Sequence, residues 1–337
     1  MLNDLWRTQN IIGIVFCTIL LGIGLERKYG WLIVAAYCYS LFTCVFLFLN
    51  LDSVWGQLQI RIDTTAAIAY ICILLIPLVI SRLDKKMTAN MWVGFTVLMI
   101  LNCISVLIFG YGIFNASSMD TSMIALMCIF PIVALWDFYL DGSLKVAGIP
   151  LVLIIVILPV VTILLTQGST AYFVLAAGAL GVFWVQRAWM HLIAMFIIIV
   201  SSGAITQGEK FLSSSGRFWH WKMFMQWWWD NANIWIGAGS GSFNWLGPAI
   251  QGPSKEAFLY MHNEYLQVLF EQGIIGFILL MALWLTSMWK VRKSAWLFGT
   301  FCAASVSMLT QFPLRYFASQ VFIALLIHEA HTLKHRV

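Results

Sequence analysis

About eleven apolar runs, at 11–25, 31–50, 64–80, 91–112, 122–139, 146–166, 170–185, 188–206, 265–289, 295–311 and 316–328, leave this chain few ways to fold. A segment in hydrocarbon has no water to bond, so it must pair its backbone within itself or within a closed barrel. Runs of this length, apolar throughout rather than alternating, meet that demand as helices. Composition agrees. Hydrophobic residues make up 61% of the chain and charged ones 10%, against roughly a quarter charged in a soluble domain. The 24 glycines suit closely packed helices, and the 17 tryptophans suit rings at the membrane–water boundary. The expected fold is an all-α integral membrane protein of about 11 transmembrane helices, with one large exterior loop carrying short interfacial helices.

Charge orients the spans. One assignment puts Arg27, Lys28, Arg82, Lys85, Lys86, Lys145, Arg187, Lys290, Arg292, Lys293, Lys334 and Arg336 in the cytoplasm. The other side keeps Arg7, Arg61, Lys210, Arg217, Lys222, Lys255 and Arg315, four of them in one long loop that the positive-inside rule discounts. The expected organisation is an N-terminal membrane bundle over 1–206, an exterior loop over 207–262, and C-terminal membrane helices with a short cytoplasmic tail over 263–337. The net charge of +5 reports this topology and no nucleic-acid partner. All seven cysteines fall inside apolar runs without metal-ligand spacing, which reads as small buried residues rather than a disulfide framework. No cleavable signal is expected, since the first apolar run lacks a small-residue cleavage site.

The loop is the one departure from membrane-helix sequence, and a long ordered loop is usually functional. Residues 217–229 are dense in aromatics, with Arg217, His220 and Lys222 interleaved. Helical spacing would make a strip lying at the membrane surface. Two readings stand for its tryptophans: an interfacial belt, or, for some such as Trp219, a platform for a sugar face. Two stand for Arg217 and Lys222: lipid headgroup contact, or a guanidinium fork and a point charge on a pyrophosphate. Gly237-Ala238-Gly239-Ser240-Gly241 is a glycine-rich turn without the βαβ setting of a dinucleotide site, although Gly239 and Gly241 can bring backbone N–H groups to a phosphate.

A helix should start at His262-Asn263, because Asn caps well and Glu264 suits the positive end of the dipole. Glu264, Gln267 and Glu271 then share one face. Gly273 and Gly276 let the chain bend or let another helix come close. His262 is either an interfacial capping residue or a group that handles a proton. Elsewhere, His328, His331 and His335 with Glu329 read as a solvated basic tail rather than a metal site. Asp137 and Asp141 bracket one end of a span with no facing carboxylate for glycoside chemistry.

His262-Asn263, nine residues, then Gly273-Ile274-Ile275-Gly276 resembles the signature of the bacterial O-antigen ligase and O-antigen polymerase family. The resemblance extends to Ser215-Gly216-Arg217, to Gly237 through Phe243 and to Phe312-Pro313-Leu314, in family order. It covers about 165–325. Relatives usually carry a second arginine in a patch that here reads Thr166-Gln167-Gly168-Ser169-Thr170-Ala171. Either Lys222 or Arg315 supplies that charge, or substrate handling differs. Relatives also usually begin inside with one more span, whereas eleven spans put this N-terminus outside.

The resemblance implies a membrane glycosyltransferase of the bacterial cytoplasmic (inner) membrane, with its exterior loop periplasmic. Its donor would be a glycan on undecaprenyl pyrophosphate. Its acceptor would be a saccharide hydroxyl, on lipid A core for a ligase or on a second lipid-linked unit for a polymerase. The expected catalytic residues are His262 as base and Arg217 on the leaving pyrophosphate. Asn263, Lys222, Arg315, Trp219, Gly239 and Gly241 would bind substrate. No metal or other cofactor is expected, since neither role needs one, and attack opposite the leaving group would invert the anomeric carbon. The alternative is a non-enzymatic lipid-linked glycan flippase or transporter, for which inverted repeats and mid-span charges would be the signs.

Overall fold

A computed structural model describes residues 85–109, 169–187, 217–251, 260–310 and 317–332, with 35, 38, 39, 158, 161, 162 and 190 as isolated positions. The expected spans at 11–25, 31–50, 64–80, 122–139, 146–166 and 188–206, with Ser215, Gly216, Phe312, Arg315 and His335, lie largely or wholly outside the described residues. Among the described residues there are seven helices and no strand. We label them α1 (Lys85–Phe109), α2 (Ser169–Gln186), α3 (Arg217–Asn231), α4 (Phe243–Gln251), α5 (Glu264–Val291), α6 (Ala295–Thr310) and α7 (Phe317–Thr332). The chain divides into two compact units, one containing Arg217–Ser287 and the other Leu83–Gly216 with Met288–Leu326.

In the second unit α2 and α6 meet through glycines. A β-carbon on Gly181 would sit 2.8 Å from Gly299 Cα, and one on Gly299 would sit 2.8 Å from the Gly178 carbonyl. Such close backbone approach is how helices associate where lipid removes the hydrophobic driving force between them. Cys302, half-buried at this crossing, and the buried Cys103 are free thiols that act as small core residues.

The outward faces are apolar. On α1 the exposed residues include Val93, Val97, Leu101, Ile104 and Ile108, spaced along one stripe. Beyond residue 273, α5 likewise exposes Ile275, Ile278, Leu285 and Trp289. Soluble helices turn such stripes inward; these face outward, as lipid permits. Seven helical hydroxyls, on Thr96, Thr162, Ser287, Thr300, Ser305, Thr310 and Thr332, donate to the carbonyl four residues earlier at 2.7–3.0 Å. A hydroxyl satisfied within its own helix needs no water. Among the described residues α5 is the one helix long and apolar enough to cross a membrane. At its far end the Arg292 guanidinium lies 4.1 Å over the exposed Trp289 ring, a pairing suited to an interface.

Helix α4 lies in the loop expected to carry short helices, and it forms although Pro248 sits inside it. Its face Phe243, Leu246 and Ile250 packs into an apolar cluster, which outweighs the one backbone bond that Pro248 cannot make. The reading of a solvated histidine tail is corrected in part. His328 is buried, and His331 Nε2 lies 3.2 Å from the Ser287 hydroxyl.

Candidate functional site

The site is built around the start of α5. Asn263 Oδ1 accepts the Leu266 N–H at 3.1 Å, and the Asn263 carbonyl accepts the Gln267 N–H at 3.0 Å. Asn263 is therefore the expected N-cap. Glu264 follows, fully buried in the first turn. His262, just before the cap, is half-buried with φ 53. A side chain in this left-handed region costs on the order of 1–2 kcal/mol, and such strain persists only where the neighbours are held. On one side the cap holds it. On the other, the Met261 carbonyl accepts the Trp221 indole N–H at 2.6 Å, and the Met261 N–H donates to Gln267 Oε1 at 3.2 Å.

Trp221 comes from α3, whose aromatic density resolves into two faces. The inner face buries Phe224 and Trp228, and Trp227 stacks on Phe270 at 5.6 Å. Phe243 meets Phe224 and Phe270 edge-on at 4.8 and 5.4 Å. These rings clamp α3 and α4 to the first turns of α5. Arg217 opens α3, half-buried, and lies one turn from Trp221. At about 100° per residue the two are about 40° apart around the axis. Arg217 thus shares the face that reaches the peptide beside His262. Burial pulls its guanidinium below its usual pKa. It stays charged, and a charge partly stripped of water attracts an anion more strongly.

The glycine-rich turn docks where α5 is broken. Gly273, at φ 66 and ψ −169, interrupts the helix in a region that is essentially glycine-only. The break frees backbone groups, and residues 234–239 take them up. Ala238 and Gly239 donate to the Phe270 and Glu271 carbonyls at 3.0 and 2.8 Å. Ile274 and Ile275 donate to the Ile234 and Trp235 carbonyls at 2.9 and 3.2 Å. Tyr39 Oη donates to the Gln272 carbonyl at 2.8 Å. Gly237, at φ 74, faces Gly273 so closely that a β-carbon on it would lie 2.5 Å from the Glu271 carbonyl. Of the two readings open for Gly273 and Gly276, Gly273 bends the chain and Gly276 stays helical.

The structure brings His262, Asn263 and the helix of Arg217 together. It does not bring Lys222 or Trp219 to them. Lys222 is exposed and about 140° around α3 from Arg217, while Trp219 is 64% exposed. The N–H groups of Gly239 and Gly241 donate to Glu271, to its carbonyl and to its Oε2. The turn is a scaffold whose donors are already engaged by the chain. Arg315 lies outside the described residues.

Three participants went unassigned in the sequence. Gln267 and Glu271 are fully buried and hydrogen-bonded at 3.0 Å. Their spacing with Glu264 was visible, and three polar residues on one face of an apolar helix were the available signal. Tyr260 is half-buried, and burial first, then the Glu271 and Glu264 carboxylates, push its hydroxyl pKa up. It therefore stays protonated, a donor two residues before His262. No spacing rule singles it out.

Fold and site together define an all-helical membrane protein with a buried polar cluster, walled by aromatics, at the start of an apolar helix. Residues 112–281 match the profile of the family described as O-antigen ligase. That match takes in α3, α4, the glycine turn, His262 and the broken part of α5, and spans half of the chain. The chain belongs to the O-antigen ligase family, whose members are bacterial membrane proteins that transfer glycans in surface polysaccharide biosynthesis. No curated protein matches it.

Proposed function

We propose that this protein is an inverting, metal-independent glycosyltransferase that moves a glycan from undecaprenyl pyrophosphate onto a saccharide hydroxyl. The observation that carries the reading is the Trp221–Met261 bond, which ties the helix of Arg217 to the strained peptide of His262. His262 takes the proton of the acceptor hydroxyl. The freed oxygen attacks the anomeric carbon, the carbon–oxygen bond to pyrophosphate breaks, and the pyrophosphate leaves with the electron pair. Arg217 meets the charge that grows on it. A positioned base contributes about two to four powers of ten to such a rate. Asn263 presents the histidine, and the protonated Tyr260 stands two residues before it.

In this reading about eleven spans surround the site, with 1–206 as the N-terminal bundle and 263–337 as the C-terminal helices. Residues 207–262 form a periplasmic loop on the inner membrane. The exposed Trp219 and Lys222 of α3 face headgroups and the lipid carrier, and Arg315 provides a second cation for the pyrophosphate. The acceptor is lipid A core or a second lipid-linked unit. The test supplies purified protein with undecaprenyl-pyrophosphate-linked glycan and each acceptor in turn. Product with one acceptor, lost in His262→Ala, is the expected result. Transbilayer movement of the lipid-linked glycan without any transfer product would overturn it.

A further inference from the structure

The buried polar face of α5 carries a hydrogen-bond relay with a fixed direction. Gly241 N–H donates to Glu271 Oε2 at 2.9 Å, and Gln267 Nε2 donates to Glu271 Oε1 at 3.0 Å. The backbone N–H of Phe243 adds another donor to the same carboxylate. Met261 N–H donates to Gln267 Oε1 at 3.2 Å. All of these residues are buried. Only one orientation of the Gln267 amide satisfies both ends. Turned over, its NH2 would face the Met261 N–H and its oxygen would face the carboxylate. The relay thus needs an accepting oxygen on each side of the carboxyl at 271. It ends on the Met261 N–H, and the carbonyl of the same residue accepts Trp221 and joins directly to His262.

We infer that Glu271 is a positioning residue for glycan transfer: through Gln267 it fixes the Met261 peptide, and with it His262 and the helix of Arg217. The inference rests on the roles proposed above for those two residues. Apolar side chains at 267 and 271 would leave the buried N–H groups of Gly241 and Met261 without acceptors, so these two side chains hold the peptides before His262 and at the turn in place.

Glu271→Gln keeps size and shape but turns one acceptor into a donor. The new amide must face either the N–H of Gly241 or the amide of Gln267. If Gln267 turns over in response, the mismatch passes to Met261. One buried donor stays unpaired in every arrangement. The exchange Gln267→Glu with Glu271→Gln removes the conflict. The carboxylate now at 267 accepts from Met261 and from the amide at 271, whose oxygen accepts from Gly241.

The test compares the parent, Glu271→Gln, the double exchange and His262→Ala. Transfer is measured with undecaprenyl-pyrophosphate-linked glycan extracted from the native host and the acceptor that yields product. Hydrogen exchange of the Gly241 and Met261 amides is followed in the same preparations. Glu271→Gln should lower kcat about 10- to 100-fold, the range expected of one unpaired buried donor, with KM little changed and one or both amides unprotected. The double exchange should restore protection and bring kcat back to within about threefold of the parent. Parental kcat in Glu271→Gln, or a double exchange no better than the single, would overturn the inference. Should Glu271→Gln fail to insert, the double exchange decides: recovered turnover supports the relay and continued failure sinks it. Transfer surviving in His262→Ala sinks the base instead. An inactive His262→Ala beside a fully active Glu271→Gln sinks the relay alone.

Discussion

Replacing Gly273 by alanine should release the glycine turn rather than unfold the protein, and the magnitudes say why. Keeping the native geometry would place a side chain in an essentially glycine-only backbone region, at about 1–3 kcal/mol. Its β-carbon would also lie 2.6 Å from the Gly237 nitrogen. That atom is backbone and cannot swing aside. The alternative is for α5 to close its own ladder through residue 273, which surrenders four bonds to residues 234–239. At a net 0.5–1.5 kcal/mol each those four total about 2–6 kcal/mol. A continuous helix returns part of this, because Ile274 and Ile275 regain intrahelical carbonyls and alanine is favoured over glycine by about 1 kcal/mol. Undocking therefore costs about 0–2 kcal/mol net, less than strain and overlap combined. The expected phenotype is a folded, inserted protein with its turn exposed and transfer lost. Limited proteolysis in detergent should cut within 234–241 in Gly273→Ala and spare the parent. Gly237→Ala should behave alike, since the two glycines face each other. Gly94→Ala is the control: nothing lies within 4 Å of its β-carbon, and it should be neutral or slightly stabilising. Parental protection and parental transfer in Gly273→Ala would refute the docking argument.

His262→Ala should reduce transfer by about two to four powers of ten with normal insertion; surface glycan of parental length or ligation in cells carrying only this variant would refute the base. Asn263→Ala should cost only about 1 kcal/mol as a lost cap, read as a modest fall in thermal midpoint. Arg217→Lys should lose most activity despite keeping its charge, because the planar pair of donors is gone, while Lys222→Arg should be tolerated and Arg315→Ala should weaken use of the lipid-linked donor more than expression. Full activity in Arg217→Lys with a silent Arg315→Ala would move pyrophosphate recognition away from these side chains. Cysteine labelling should reach 207–261 only from outside and 290–293 only from inside, and labelling near Trp227 solely from the cytoplasm would sink the periplasmic assignment.

The sequence made the described apolar helices legible and left the tertiary partners of the loop hidden. Runs at 170–185, 265–289, 295–311 and 316–328 correspond to α2, α5, α6 and α7 within a few residues, and the run at 91–112 to α1, which begins six residues earlier at Lys85. Apolar content marks the apolar part of α1, and its polar first turns extend beyond it. The cap at Asn263 and the helical aromatic strip at 217 were readable because both rest on neighbours within one or two turns. The place of helix α4 was not, since its Gly247-Pro248 pair speaks locally for a turn and only the long-range packing of Phe243 and Leu246 overrules it. Gly273 and Gly276 look alike in sequence. Which one breaks depends on Gly237, 36 residues away, and no periodicity encodes that partner.

Strain at His262, the break at Gly273 and the buried relay from Gly241 to Met261 belong to one physical problem. A histidine at φ 53 relaxes unless the peptides on both sides are fixed. The Asn263 cap fixes one side with local sequence. The other side precedes the helix, where no helical bond is available to the Met261 N–H. Gln267, one turn into α5, reaches back to supply it, and Gln267 is itself oriented by Glu271, one turn further on. Glu271 would then bury a carboxyl short of donors in an apolar helix. The turn answers this with the N–H of Gly241, and it can approach only because Gly273 and Gly237 lack side chains. Each element removes the unsatisfied group left by the one before. A single apolar substitution at 267 would leave Met261 without its acceptor and Glu271 without one donor, so the relay is expected to tolerate paired changes far better than single ones.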